Sequence, residues 1–197
     1  MNKYILYLVL IFILPLTSCK KGCTDPNSLA YNPEAKKDDG SCTNPTAAKK
    51  ALVFKTTATW CPYCGDWGAT YSGNVATDFP DDAAVVQLHK NDQFSTTPGD
   101  EIRTYLNYSG VPHFWVGTQD INNNYSLLSG AIINELNESV EVSMAMETST
   151  SGSSMNVRVQ SQWLGSTSGE YSLAVYILED WIVAEQDIAG APSDPNF

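Results

Sequence analysis

From Ala51 onward, short apolar runs alternate with stretches of helical periodicity. Leu52 to Thr57 is apolar and β-branched, and Ala84-Val85-Val86-Gln87-Leu88-His89 reads as a buried strand. Between them, Pro62 to about Asp78 predicts a helix weakened by Gly65, Gly68 and Gly73. Asp100 to Tyr108 predicts a second helix, started by Pro98-Gly99, with Ile102, Tyr105 and Leu106 on one face. Pro112 to Val116 and Tyr125 to Leu128 predict two more strands, joined by the turn-rich Gly117 to Asn124. Ala131 to about Ser139 predicts a closing helix with Ile132, Ile133 and Leu136 apolar. The predicted order is β-α-β, a helix, then β-β-α, an α/β class.

After Val140 the period changes to two. Val140, Val142, Met144 and Met146 alternate, as do Met155, Val157 and Val159, then Tyr171, Leu173, Val175 and Ile177. Ser149 to Ser154 and Gly165 to Gly169 read as turns, so a small antiparallel β unit with one buried face is expected, its methionines in the core rather than on a metal. It has few strands for an independent domain, and Pro195-Asn196-Phe197 follows without a closing element, which predicts a truncated chain or a missing strand.

Upstream, Lys20 to Lys50 is polar and turn-rich and shows no apolar periodicity. Asp25, Asn27, Asp38 and Asp39 offer oxygens to a hard cation, but their spacing does not match an EF-hand; a solvated spacer without metal is expected. The first residues differ in kind: Asn2-Lys3, an apolar run from Tyr4 to Leu14, then Leu16-Thr17-Ser18-Cys19. The run is short for a transmembrane helix and fits a signal peptide. Its ending resembles a bacterial lipobox, which implies lipid on Cys19. Residues 1–18 are therefore expected as a leader, 19–50 as a Cys-bounded segment and linker, 51–139 as the α/β domain and 140–197 as the β unit.

Five cysteines are odd for an exported chain, but Cys19 as the lipid anchor leaves Cys23 with Cys42 and Cys61 with Cys64. Export means an oxidising compartment, so a Cys23–Cys42 disulfide is expected to close the polar loop. The net charge is −11, and losing the leader, whose one charged residue is Lys3, makes it −12. That balance argues against nucleic acid and against a basic membrane-docking face.

The chemistry concentrates in Trp60-Cys61-Pro62-Tyr63-Cys64, directly after the first strand. A cysteine at a helix N-terminus lies beside unpaired N–H groups that favour its thiolate. Pro62 suits the first helical position. Cys64 is close enough to resolve a mixed disulfide formed at Cys61. A permanent disulfide or half of a zinc site is the alternative; four thiolates from Cys23, Cys42, Cys61 and Cys64 are a weak zinc site, because Cys23 and Cys42 do not form a knuckle.

This order, with Cys-x-x-Cys after strand one and Gly110-Val111-Pro112 at the start of strand three, resembles the thioredoxin fold over Ala51 to about Val140. The resemblance implies catalytic Cys61 and Cys64, a cis-Pro112 that with Val111 shapes a substrate groove, and substrate-side contacts from Trp60, Pro62 and Tyr63. An ordinary trans proline at a strand edge is the alternative for Pro112. Thioredoxins commonly carry a buried acid six positions before the first cysteine, where this chain has Lys55. A cation there would favour thiolates, unless Lys55 snorkels to solvent. His89 is expected to be structural, and His113 either approaches the sulfurs or points away.

The lipobox, Ala58-Thr59-Trp60-Cys61, Val86-Gln87-Leu88-His89 and Tyr171 to Asp180 together resemble the outer-membrane-protein-28 family of bacterial envelope proteins. That resemblance implies an outer-membrane lipoprotein of the cell envelope, attached through Cys19. The function expected is a thiol–disulfide oxidoreductase acting on protein thiols or disulfides with a partner redox protein, needing no metal or organic cofactor. The alternative is a non-catalytic surface binding or assembly protein with a structural Cys61–Cys64 disulfide.

Overall fold

The computed structural model describes residues 19–121, 123–166 and 168–197. The leader expected over residues 1–18 lies outside the described residues. Contacts divide the chain into two compact units, Met1–Ala47 with Glu141–Thr167 and Ala48–Val140 with Ser168–Phe197. This differs from the division expected at 50 and 139: the stretch after Thr167 belongs with the α/β unit. Local periodicity identifies elements but not which distant element each will pack against.

The α/β unit contains β1 (Ala51–Thr57), α1 (Pro62–Gly65), α2 (Trp67–Asp78), β2 (Ala83–His89), α3 (Thr97–Tyr105), β3 (His113–Val116), β4 (Gln119–Ile121) and α4 (Tyr125–Leu136), then a late hairpin of β7 (Gln186–Ile188) and β8 (Ala191–Asp194). The four-stranded sheet runs β2-β1-β3-β4. β1 and β2 are parallel, whereas β3 is antiparallel to both β1 and β4. This is the thioredoxin-like arrangement expected. A parallel neighbour requires a crossover, supplied here by α1 and α2.

Both sheet faces are covered. Val53, Phe114 and Val116 pack with Val75 of α2 and Leu128, Ala131 and Ile132 of α4. Phe54, Val86, Leu88 and Trp115 make the other core with Leu106, just after α3. Each such side chain contributes roughly 1.5–3 kcal/mol by leaving water. Two expectations are corrected here. Tyr125 to Leu128 is not a strand but the first turn of α4, because the Asn124 side chain accepts from Leu127 N–H and caps it. Tyr105 leaves the apolar face and is 77% exposed.

A third correction concerns Tyr171, Leu173, Val175 and Ile177, which belong to no strand. Their alternation suits a ladder, but these residues take part in no described sheet, and Ile177 is 75% exposed.

In the other unit, β5 (Val142–Ser151) and β6 (Ser154–Trp163) form the antiparallel hairpin expected. The buried side is opposite to that expected: Ser143 and Ala145 are buried, whereas Met144, Met146 and Met155 are all more than half exposed. Strand side chains alternate, so the wrong phase on β5 turns its methionines outward, whereas Val157 and Val159 of β6 stay half-buried as expected. Cys23 and Cys42 are joined by a disulfide. Asp25, Asn32, Asp38 and Asp39 each accept from the backbone N–H two residues on. These Asp and Asn side chains thus build Asx turns. Among the described residues no group of acidic, His or Cys side chains is arranged to hold a metal ion, and no helix is long and apolar enough to cross a membrane.

Candidate active site

The sheet register places the two halves of the site. Thr56 pairs with His113, so the end of β1, which leads into Cys61, lies beside the start of β3, which follows Pro112. The Thr56 hydroxyl donates to the Gly110 carbonyl at 2.9 Å and pins the connecting loop there. The Val111–Pro112 bond is cis. Cys61 Sγ lies 3.5 Å from the Val111 carbonyl oxygen. Ala58, Cys61, Cys64 and Val111 pack into one small apolar cluster.

Cys61 and Cys64 are joined by a disulfide with Cα atoms 5.2 Å apart. Cys61 is the N-cap of α1: its backbone is extended, Pro62 opens the helix, and Cys64 N–H donates to Cys61 Sγ at 3.2 Å. The long helix expected from Pro62 to Asp78 is broken at Asp66, where φ −93° and ψ −107° leave the helical region. The dipole behind Cys61 is therefore that of one short turn, and the directed Cys64 N–H is the specific interaction that would stabilise a Cys61 thiolate. Gly68 allows the next helix to approach: a Cβ there would stand 3.0 Å from Pro112 Cβ and 3.2 Å from the Tyr63 carbonyl. Glycine in this helix thus serves close packing rather than looseness alone.

The substrate-side residues expected from the sequence divide. Pro112 is buried and Val111 half-buried against the sulfurs, whereas Pro62 and Tyr63 are exposed at the rim. Trp60 is 47% exposed, and its Nε1–H donates to the Lys90 and Asn91 carbonyls. Both cysteines are buried, Cys61 to 3% exposure.

Lys55 does not snorkel. It is 2% exposed, and its Nζ lies 3.4 Å from Gln87 Oε1. Burial holds its ammonium pKa down at about 8. Lys55 and Cys64 both line a cavity of about 900 Å³. His113 sits beside Asp120, with its ring against Trp115, so it is engaged along the sheet. His89 Nδ1 lies 2.7 Å from Asp92 Oδ2, in keeping with the structural role expected.

Two residues escaped sequence reasoning. Asp92 accepts from Thr59 N–H at 3.0 Å through Oδ2 and from Phe94 N–H at 3.0 Å through Oδ1, joining the turn after β2 to the approach to Cys61. Burial pushes its carboxyl pKa up, but the His89 contact and these N–H donors together hold it below the usual value. The other residue is Gln186, in β7, whose side-chain amide reaches the carbonyls of Ala58, Thr59 and Cys61. The polar run Lys90-Asn91-Asp92-Gln93 was a turn signal that pointed to Asp92; the local pattern around Gln186 offers none.

No family model matches the chain, and no curated protein matches it. Among solved structures, the chain is similar to HBP35 of Porphyromonas gingivalis, with a TM-score of 0.45 and 15% identity over 54% of this chain. The match spans 39% of the HBP35 chain.

Proposed function

We propose that this chain is a cell-envelope thiol–disulfide oxidoreductase using the Cys61/Cys64 pair, anchored in the outer membrane through lipid on Cys19. The observation that carries the reading is the Cys61 thiol position, capped by Cys64 N–H and set against Val111-Pro112. In the reducing direction, the Cys61 thiolate attacks a substrate disulfide, forms a mixed disulfide and releases one substrate thiolate. The Cys64 thiolate then attacks Cys61 Sγ, releases the second substrate thiol and leaves Cys61–Cys64 oxidised. The two electrons delivered are restored by a partner redox protein, and every step reverses for substrate oxidation. Val111 and Pro112 would border the substrate strand, with Trp60, Pro62 and Tyr63 at the rim. Cys19 is exposed and forms no disulfide, as attachment through lipid requires. On this reading the resemblance to outer-membrane-protein-28 proteins extends to location.

Turnover of insulin disulfides, or oxidation of a reduced client, tests the activity. The soluble chain is expected to be active, and Cys61→Ser and Cys64→Ser are expected to lose activity at least a hundredfold. Equal rates for all three proteins would refute the enzyme reading. The low exposure of Cys61 favours a second reading, a binding or assembly protein with a structural disulfide; it predicts inactivity in all three.

A further inference from the structure

We infer that Gln186 is a positioning residue for the redox pair: it braces the backbone of Ala58 to Cys61 and thereby holds the disulfide bond closed. The inference rests on the Cys61/Cys64 site proposed above and deepens it.

Gln186 stands far along the chain from Cys61, yet it is 5% exposed. Its Nε2 lies 3.2 Å from the Ala58 carbonyl oxygen, 3.0 Å from that of Thr59, 3.0 Å from that of Cys61 and 2.9 Å from that of Asp187. All four neighbours are acceptors, so the amide nitrogen and not its oxygen must face them. Two N–H bonds shared among these carbonyls tie together the turn on which Cys61 sits.

The backbone of the same hairpin adds two ties. Asp187 N–H donates to Thr59 O at 2.9 Å, and Ala189 N–H donates to Pro62 O at 3.1 Å. The hairpin is therefore fastened on both sides of Cys61. Gly65 completes the fit, since a Cβ there would lie 2.5 Å from the Asp187 carbonyl oxygen and 2.8 Å from Gln186 Cγ. No side chain can be added at that point without moving the hairpin backbone.

Bracing has a redox consequence. A dithiol whose backbone is held in the disulfide geometry loses less freedom when the bond closes, so its effective concentration is high and its disulfide resists reduction. The brace also helps aim Cys64 N–H at Cys61 Sγ, which would favour the reduced form through the thiolate. Freedom gained by several backbone residues outweighs a weakened hydrogen bond from one short helical turn. Loss of Gln186 should therefore favour reduction.

The test is the equilibrium of the Cys61/Cys64 pair in dithiothreitol or glutathione redox buffers, with Gln186→Leu as the variant. Leucine keeps most of the volume and removes the donor. The equilibrium constant for reduction is expected to rise about fivefold, equivalent to about 20 mV. Gly65→Ala, which keeps Gln186 but pushes the hairpin away, is expected to move it in the same direction. Gly73→Ala, whose Cβ would meet nothing within 4 Å, is the helical control and should leave it unchanged. A folded Gln186→Leu protein with the wild-type equilibrium would overturn the inference. If that variant does not fold, an unshifted Gly65→Ala protein overturns it equally. The equilibrium is measurable whether or not the protein turns over substrates. Inactive wild type with a shifted variant would reject the enzyme reading alone; active wild type with no shift would reject the brace alone.

Discussion

Replacing Lys55 by methionine removes a buried charge while keeping a stem of similar length. In the folded chain this ammonium is 2% exposed, and its Nζ lies 3.4 Å from the neutral Gln87 amide oxygen. Its pKa falls from 10.5 to about 8 through burial alone. At about 1.4 kcal/mol per pH unit, that gap corresponds to about 3 kcal/mol by which the charged form disfavours folding at pH 7. The sign follows from proton counts. Between about pH 8 and 10.5 the unfolded chain keeps a proton that the folded chain has shed, so wild-type stability gains with rising pH across this window. Below it the penalty is present in full. Lys55→Met is expected to be more stable at pH 7 by about 2–3 kcal/mol, after about 0.5–1 kcal/mol for the lost Gln87 hydrogen bond. The advantage should vanish above the window. Because the chain forms two compact units, a single unfolding curve would mix two transitions. Hydrogen exchange of the β1 amides, measured at pH 7 by mass spectrometry, and urea unfolding followed at pH 7 and pH 10.5 through the same strand, isolate the relevant unit. A Lys55→Met protein that is less stable at pH 7, or equally advantaged at both pH values, would refute burial of an uncompensated charge.

Three further outcomes test the rest of the scaffold. Gly68→Ala is expected to destabilise the α/β unit by about 1–2 kcal/mol, because Pro112 and the Tyr63 carbonyl cannot both give way, whereas Gly73→Ala in the same helix should stabilise it by about 0.5–1 kcal/mol; paired denaturation curves measure both. Asp92→Asn leaves two backbone N–H groups facing an amide instead of a carboxylate and should cost about 1–3 kcal/mol. Since the wild-type carboxyl is depressed, its contribution is present above the unfolded pKa and lost as pH falls through the folded one, so acid titration of stability should be shallower in the variant. Replacing Cys23 and Cys42 by serine opens a loop of sequence separation 19 and should cost its unit about 3 kcal/mol, read as faster proteolysis between Lys20 and Lys50 with the Cys61/Cys64 equilibrium unchanged.

The elements that could be read from sequence are those whose signal is local. β1 and β2 are short runs rich in apolar and β-branched residues, and Pro62 behind Cys61 marked a helix start that the structure reproduces. Pro112 stood out because Val-Pro precedes a strand. Tyr125 to Leu128 misled because a short run with three apolar residues, Tyr125, Leu127 and Leu128, fits either period, and the Asn124 cap decides for the helix. The exposed methionines of β5 show the opposite failure: the period was right and the phase wrong, since nothing in a strand's own alternation says which side another layer will cover.

The site exposes a deeper limit of the same kind. A Cys-x-x-Cys motif names the candidate reacting atoms, but the contacts that hold its turn in place act on backbone carbonyls and N–H groups. Any side chain that can reach them will serve, whatever its place in the chain. Here Asp92 holds Thr59 N–H from the turn after β2, and Gln186 holds the carbonyls of Ala58, Thr59 and Cys61 from the late hairpin. Neither residue has a distinctive spacing from Cys61, so motif reading passes over both. The acid usually sought beside such a pair is replaced by Lys55, and the available carboxylate reaches the loop from Asp92 instead. If charge near the sulfurs governed this site, Lys55→Met would shift its redox equilibrium more than Gln186→Leu. The geometry favours the reverse order, because Gln186 bonds the very turn that carries Cys61, whereas Lys55 bonds Gln87 on the neighbouring strand β2 and no group of that turn.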